Sequence, residues 1–464
     1  MRFALAGGLG LFLLCVALNA FINAQLPQGA QDFSLWVYVV ANVIVFVDLF
    51  DFLLRIRHWR VQSSRSGRRS GPSPTSTPIV VGNFNPYQRR LHLRPYALAI
   101  SVHDLGDAAD EFIAAMAPHR GRLYVIDDAS NDGTAARLEA AGLQVIRSTR
   151  NRHKPGAIRE LLRYLPADVE TILIMDPDSR VLELAGGDIS TLESVIFEFQ
   201  RSGHAALCPR ITAARGNWLT RLQRLEYALS FGVGRKGLGD FSVTSGVALY
   251  RRTALERMLT EHSLSVYAED LENTLHLVAR DERIYYDERL VVETEGKTDV
   301  ASWFSQRVGW AFGLAKVYSL NERKVWRASA RDPMHFYQYL IYLGVFGLVF
   351  HPLKLLSLVP LLGSALNGVD LLLGTGVVPD GALTHAWYFP LVYAKYTLLI
   401  FAVIPFAVPP GERRENLPIV PLIFLYGLAQ LAPTTVGFLN WISLRVAGRR
   451  IYRDHFADDA RIHG

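Results

Sequence analysis

Long apolar runs crowd both ends of this 464-residue chain and leave the middle polar, and that distribution is what most restricts the fold. A bilayer core admits only structures that satisfy every backbone N–H and C=O internally, which for runs of this kind means helices. The runs lie at about residues 3–24 and 36–54, then at 336–350, 353–373, 387–407 and 419–444. Most approach the roughly 20 residues a helix needs to cross. The first, with Arg2 ahead of it and small residues near Ala24, also fits a signal peptide. Arg55, Arg57, Arg60, Arg65, Arg68 and Arg69 follow the second run, whereas the loop between the first two has no Lys or Arg. Positive charge marks the cytoplasmic side, so the polar middle is expected in the cytoplasm of a multi-pass protein of the plasma or inner membrane. Four C-terminal spans return the basic tail around Arg445, Arg449, Arg450 and Arg453 to that side but leave Arg413 and Arg414 outside. Three spans reverse both, and the heavier tail favours four.

The net charge of +6 is thus accounted for by membrane orientation, and no nucleic-acid-binding module accompanies it. The two cysteines, Cys15 and Cys208, form neither a disulfide framework nor a zinc spacing, as suits a reducing compartment. The expected organisation is two N-terminal transmembrane helices (1–57), a basic flexible linker (58–95), a soluble domain (96–300), amphipathic interface helices (301–335), C-terminal spans (336–445) and a basic tail (446–464). In the soluble block, apolar runs of strand length alternate with helical patterns, which predicts an α/β domain with a mixed, mostly parallel sheet.

The most informative of those runs is residues 171–175, which stops on Asp176-Pro177-Asp178. Buried parallel strands are continuously hydrophobic, and ligands bind beyond their carboxyl ends. Two carboxylates at such an edge suit Mg²⁺ or Mn²⁺, which takes one or two carboxylates together with substrate phosphates; the competing reading is an Asp-Pro turn. An earlier strand ends on Asp127-Asp128, where a carboxylate can accept from a base or ribose, although Asp132-Gly133-Thr134 just beyond also reads as a turn opening a helix. Lys154 is a candidate counter-charge for phosphate. Glu269-Asp270 precedes a helical pattern, as a cap or as a general base. Gln306-Arg307-Val308-Gly309-Trp310 sets an amide, a guanidinium and an indole just before the C-terminal apolar runs. Gly232-Val233-Gly234-Arg235-Lys236-Gly237 matches GxGxxG but follows a helix instead of a strand, so it is expected to be a flexible loop and not a dinucleotide site.

In that order, these elements resemble the membrane-embedded family 2 glycosyltransferases, the group of the cellulose, hyaluronan and chitin synthases. The resemblance spans nearly the whole chain and implies a cytosolic domain of GT-A-like fold inserted between transmembrane helices. Asp127 and Asp128 match the family's nucleotide-binding aspartates, Asp176 and Asp178 its metal-binding pair, and Glu269-Asp270 its Thr-Glu-Asp with Ala268 in place of the threonine. By the same resemblance Asp270, with Glu269 beside it, serves as catalytic base. Lys154 faces the nucleotide, Gln306 and Arg307 contact the donor, and Trp310, Glu226, Ser245 and Gly246 shape the acceptor side. The implied partners are a nucleotide-diphosphate sugar, foremost a UDP-sugar, a polysaccharide or lipid-linked acceptor and membrane lipid, without any nucleic acid polymer.

One departure bears on the product. The family places an arginine directly before the tryptophan, and here that position is Gly309. The resemblance therefore implies an inverting hexosyltransferase that elongates a β-linked polysaccharide and exports it through its own spans, while Gly309 favours the alternative of single transfer to a lipid carrier or glycolipid. Outside the enzymes, the alternative is an inactive transport or assembly subunit, against which Asp176, Asp178 and Asp270 argue.

Overall fold

A computed structural model of the chain describes residues 51–61, 93–182, 191–239, 242–264, 267–377 and 386–453. The first expected span, most of the second, almost all of the linker and most of the tail lie outside the described residues. The helix at residues 51–61 is α1. The soluble domain then runs β1 (Tyr96–Val102), α2 (Ala108–Met116), β2 (Leu123–Asp127), α3 (Thr134–Ala140), β3 (Val145–Arg147), α4 (His153–Leu161), β4 (Thr171–Met175) and β5 (Ser179–Leu182). It continues through α5 (Thr191–Arg201), β6 (Ala206–Ala213), α6 (Trp218–Leu229), β7 (Ala248–Arg251), α7 (Arg252–Glu261), α8 (Glu269–Val278) and β8 (Ile284–Thr294).

The strands form one mixed sheet in the order β3-β2-β1-β4-β7-β6-β8-β5. β1, β2, β3 and β4 are mutually parallel, β7 runs antiparallel to both β4 and β6, and β8 is parallel to β6. The carboxyl ends of β1, β2, β4, β6 and β8 therefore share one edge with the amino end of β7. Both faces are covered. On β1, Ala97 and Ala99 join the core packed by α4 and α7, while Leu98 and Ile100 join the core packed by α2 and α5. Burial on both faces is why β1 and β4 read as continuous apolar runs.

Three features of the sheet have local causes. Residues 243–247, with strand-like composition, run past the sheet edge, and only Ala248–Arg251 pairs as β7. The stretches 283–286 and 290–293 join into one strand, β8, that spans the break in its pairing with β6 at Pro209/Arg210. That proline and arginine hide β6 from an apolar-run search; a prolyl residue cannot donate to the ladder and sits where the register shifts.

Beyond the domain come α9 (Val300–Leu320), α10 (Glu322–Ser329), a π-helix (Phe336–Val349), α11 (His351–Leu356), α12 (Leu358–Leu373), α13 (Tyr388–Ala407) and α14 (Val420–Ala447). Among the described residues three helical stretches are long and apolar enough to cross a membrane: Lys354–Leu373, Tyr388–Ala407 and Pro410–Ala447. The fourth expected run, at 336–350, is a π-helix too short to join them. The loop after α13 lies against the soluble domain, where Arg210 and Arg215 pair with Glu412 and Glu415. Arg413 and Arg414 are therefore on the domain's side, which hydropathy counting does not show because it carries no information on ion pairs between distant segments.

The Gly232–Gly237 stretch is helical and not a loop: α6 passes into a π-turn, Ser230–Arg235, and then Lys236–Leu238. Its glycines serve close approach. A Cβ on Gly232 would meet the Ala407 backbone at the end of α13, and one on Gly237 would meet Arg55 of α1. Arg55 in turn pairs with Asp51 at 2.8 Å and donates to the Gly234 carbonyl at 3.0 Å and to Gln338 at 2.7 Å. Gly232→Ala should lower thermal stability of the detergent-purified protein by about 1–3 kcal/mol through overpacking, while Ala at Gly234, with open space around its Cβ position, should cost less.

Candidate functional site

A cavity of about 720 Å³ opens at the shared strand edge. It collects Asp128 beyond β2, Lys154 of α4, Asp176 and Asp178 beyond β4, Ser245 and Gly246 before β7, Glu269 and Asp270 of α8, and Gln306 and Trp310 of α9. These residues are far apart in the chain, and the mixed topology brings the ends of their elements together.

Lys154 is the cationic centre. Its Nζ donates to Asp176 Oδ1 and to the Gly246 carbonyl at 2.6 Å, and lies 3.6 Å from Glu269. Burial opposes its charge, but Asp176, Glu269 and Asp270 outweigh that cost and raise its pKa. Gly246 is required by proximity, since a Cβ there would sit 2.5 Å from Asp176 Oδ2. Asp178 accepts from Thr294 Oγ1 at 3.1 Å, tying the end of β4 to the end of β8. Burial and the neighbouring Asp176 push its pKa up to about 6.

Asp270 lies in the first turn of α8. Its carbonyl accepts from Thr244 at 2.8 Å and Thr274 at 2.9 Å, and its Oδ1 accepts from the Leu271 N–H at 2.8 Å. Burial, then Glu269, raises its pKa to about 6, against the lowering pull of Arg235 and Lys154. A carboxylate so placed is ionised at neutral pH yet basic enough to take a proton.

Other expected site residues have committed partners. Both oxygens of Asp128 accept the Arg152 N–H at 2.9 and 3.0 Å, at the start of α4, and burial raises its pKa. Asp127 does not line the cavity; its Oδ2 accepts from Ser130 N–H at 3.3 Å, and its buried Oδ1 has no partner among the described residues. Asp132 caps α3 by accepting from Thr134 N–H at 2.9 Å, so that segment is the helix-opening turn. Glu226 lines the cavity, but its carboxylate is held by Arg307 at 2.6 Å, Tyr426 at 2.7 Å and Gln430 at 3.0 Å. Arg307 is buried outside the cavity lining, with its guanidinium 3.9 Å from the Trp310 ring centroid. It backs Trp310 and does not reach toward Lys154. Ser245 donates to the Val247 carbonyl at 2.6 Å. Gln306 lines the cavity with a buried, unpartnered Oε1.

Gly309 has a steric explanation. A Cβ at that position would penetrate the ring of Tyr267, and one at Gly313 would meet Ala268 and the Tyr267 backbone. Tyr267 thus fills the space where a longer side chain at 309 would lie, and it lines the cavity itself. Tyr267 and Arg235 are among the cavity residues that the sequence patterns do not single out. Tyr267 is adjacent to Ala268-Glu269-Asp270, which was a usable signal; Arg235 was hidden inside the dismissed GxGxxG.

Among the described residues no group of three or more His, Cys, Asp or Glu is arranged to hold a metal ion by itself. The donor set nevertheless fits a hard divalent cation that completes its shell with substrate phosphates: two carboxylates stand at one strand end, and Gly246 leaves Asp176 Oδ2 unobstructed.

Residues 111–259, about a third of the chain, match the family model described as glycosyl transferase family 2. That segment, from α2 into α7, holds Asp127, Asp128, Lys154, Asp176 and Asp178 and stops short of Glu269 and Trp310. Over that segment the chain is similar to the glycosyl transferase family 2 domain. No curated protein matches. Among solved structures, the chain is similar to the mannosyltransferase PcManGT from Pyrobaculum calidifontis in complex with GDP-Man and Mn2+, at 14% identity and a TM-score of 0.46, covering 86% of this chain and 99% of that one. It is also similar to GalNAc-T7 with UDP, GalNAc and Mn2+, at 13% identity and a TM-score of 0.33, covering 45% and 44%.

Gly309→Arg should destabilise the protein by about 1–3 kcal/mol because Tyr267 occupies the space. Adding Tyr267→Ala should recover most of the loss in a thermal melt; a single variant as stable as the parent would contradict the packing described.

Proposed function

We propose that the protein is an inverting glycosyltransferase that takes a sugar from a nucleotide-diphosphate donor, foremost a UDP-sugar, and adds it to a β-linked glycan at the membrane. The observation that carries this reading is the single cavity uniting Asp176 and Asp178, Lys154, Asp270 and Trp310 at the strand edge beneath the apolar helices. The family 2 match over 111–259 supports it.

Asp176 and Asp178 would hold Mg²⁺ or Mn²⁺. When bound, the cation supplies positive charge to the diphosphate leaving group. Lys154, kept protonated by its carboxylate neighbours, adds charge on the same side of the cavity. Asp270 takes the proton of the acceptor hydroxyl as that oxygen attacks C1 of the donor. The C1–oxygen bond to the diphosphate breaks on the opposite face, its electron pair leaves with the nucleotide, and the anomeric configuration inverts. Trp310, 42% exposed and stacked on Arg307, offers a rigid ring face to the acceptor sugar and so fixes the angle of attack.

Two acceptor classes follow from the features of α9. Retention of Gln306 and Trp310 in the cavity wall favours repeated addition, with a growing polysaccharide leaving along the protein's own spans. The Tyr267 ring in place of a side chain at 309 favours a single addition to a lipid carrier or glycolipid. Incubating the purified protein with Mg²⁺ or Mn²⁺ and UDP-glucose, UDP-N-acetylglucosamine, UDP-glucuronate or GDP-mannose separates the readings. A ladder or high polymer supports the first, one added sugar the second, and no nucleotide release with any donor revives the inactive-subunit alternative.

Asp270→Asn should lower turnover by roughly 10²- to 10⁴-fold with folding retained. An Asn variant with full turnover would remove Asp270 from the role of base. Because that base must be ionised and its pKa is raised to about 6, kcat/KM should fall as pH is lowered through about 6 and level off above it. A profile flat down to pH 5 would contradict the assignment.

A further inference from the structure

The cationic lining of the cavity is provided by Lys154 and Arg235, apart from the histidines His103 and His153. Lys154 is already committed to Asp176, the Gly246 carbonyl and Glu269. Arg307 is committed to Glu226 and Tyr426, outside the lining. Arg235 differs from both. It lines the cavity and forms no ion pair among the described residues, and its guanidinium lies 5.1 Å from the Phe231 ring centroid. It adjoins Asp270 and Cys208, whose carboxylate and thiol its charge pulls toward ionisation against the larger effect of burial.

Its position is held from several sides. Arg235 ends the π-turn that extends α6, and such turns displace one side chain from the regular helical face. Gly232 is packed on the Ala407 backbone, the Gly234 carbonyl accepts from Arg55, and Gly237 packs on the Arg55 side chain. Arg235 is thus held at three neighbouring points, half-buried at the cavity wall, with the Cys208 thiol beside it and no carboxylate in an ion pair with it among the described residues. A guanidinium presents forked donors suited to phosphate oxygens.

We propose that Arg235 is a binding residue for the diphosphate of the nucleotide-sugar donor, supplying from the α6 extension the positive charge that Gly309 cannot supply from α9. This rests on the donor reading above. In that role Arg235 touches phosphate oxygen in both the donor and the departing nucleoside diphosphate, so its effect extends to product binding.

The test uses the full-length protein in detergent or nanodiscs with Mn²⁺, measuring binding of UDP, GDP, uridine and guanosine to the parent, Arg235→Ala and Arg235→Lys. The parent is expected to bind one diphosphate more tightly than its nucleoside. Arg235→Ala should weaken that diphosphate by roughly 10- to 100-fold and leave the nucleoside within twofold, with Arg235→Lys in between. Equal diphosphate affinity in the parent and Arg235→Ala overturns the proposal and leaves the donor reading standing. Absence of nucleotide binding to the parent overturns both. If Arg235→Ala also loses the nucleoside, Arg235→Lys decides: diphosphate weakened with nucleoside retained supports the role, and both retained at parental affinity overturns it.

Discussion

The cavity depends on a charge balance at the end of β4. Lys154 is half-buried, and a desolvated ammonium keeps its proton only when neighbouring carboxylates offset lost hydration. Asp176 and Glu269 do so directly, and Asp270 contributes at longer range. Because β4, α4 and α8 contribute these groups, the same balance ties the strand edge to two helices. It also sets the geometry around Gly246, whose missing Cβ lets the loop before β7 close on Asp176. Burial first, and then the neighbouring Asp176 and Glu269, raise the pKa values of Asp178 and Asp270.

Around that centre the apolar helices act as structural parts of the site. α9 carries Gln306 and Trp310 into the cavity on one face and packs on α14 with the other, where Gly437 meets the backbone of Val308 and Phe312. Glu226, Arg307, Tyr426 and Gln430 form a polar bridge from the cavity wall to α14. Each group would be costly to bury alone, and the Glu226 carboxylate is met by Arg307, Tyr426 and Gln430 together. On the opposite flank, α1 and the end of α13 hold the π-turn that bears Arg235. Detaching the soluble domain from these helices would leave the walls that bear Trp310 and Arg235 unsupported.

How much of this was legible in the sequence varied by element. The strand Tyr96–Val102 and the run Thr171–Met175 were plain, because strands buried on both faces are written in apolar residues alone. Asp176, Asp178, Asp270 and Lys154 were legible as charged residues placed next to such patterns. β6 was not, since Pro209 and Arg210 interrupt it where its pairing shifts. The roles of Glu226 and Arg307 were equally hidden: both looked available for ligand, and only contact with α14, some 200 positions away for the pair Glu226–Tyr426, shows the Glu226 oxygens and Arg307 Nη2 engaged.

By itself, then, the sequence determined the outline of this protein: a polar α/β domain between apolar runs, with carboxylates at strand ends. Local pattern suffices for that, because burial and periodicity are written residue by residue. Tertiary structure alone decided which charged groups remain free for ligand. It turned Arg307 and Glu226 toward each other, filled the space beside Gly309 with Tyr267, and left Arg235 lining the cavity with no ion pair among the described residues. A charge is available only if no distant segment has claimed it, and such claims are made in space, between residues that the sequence keeps apart.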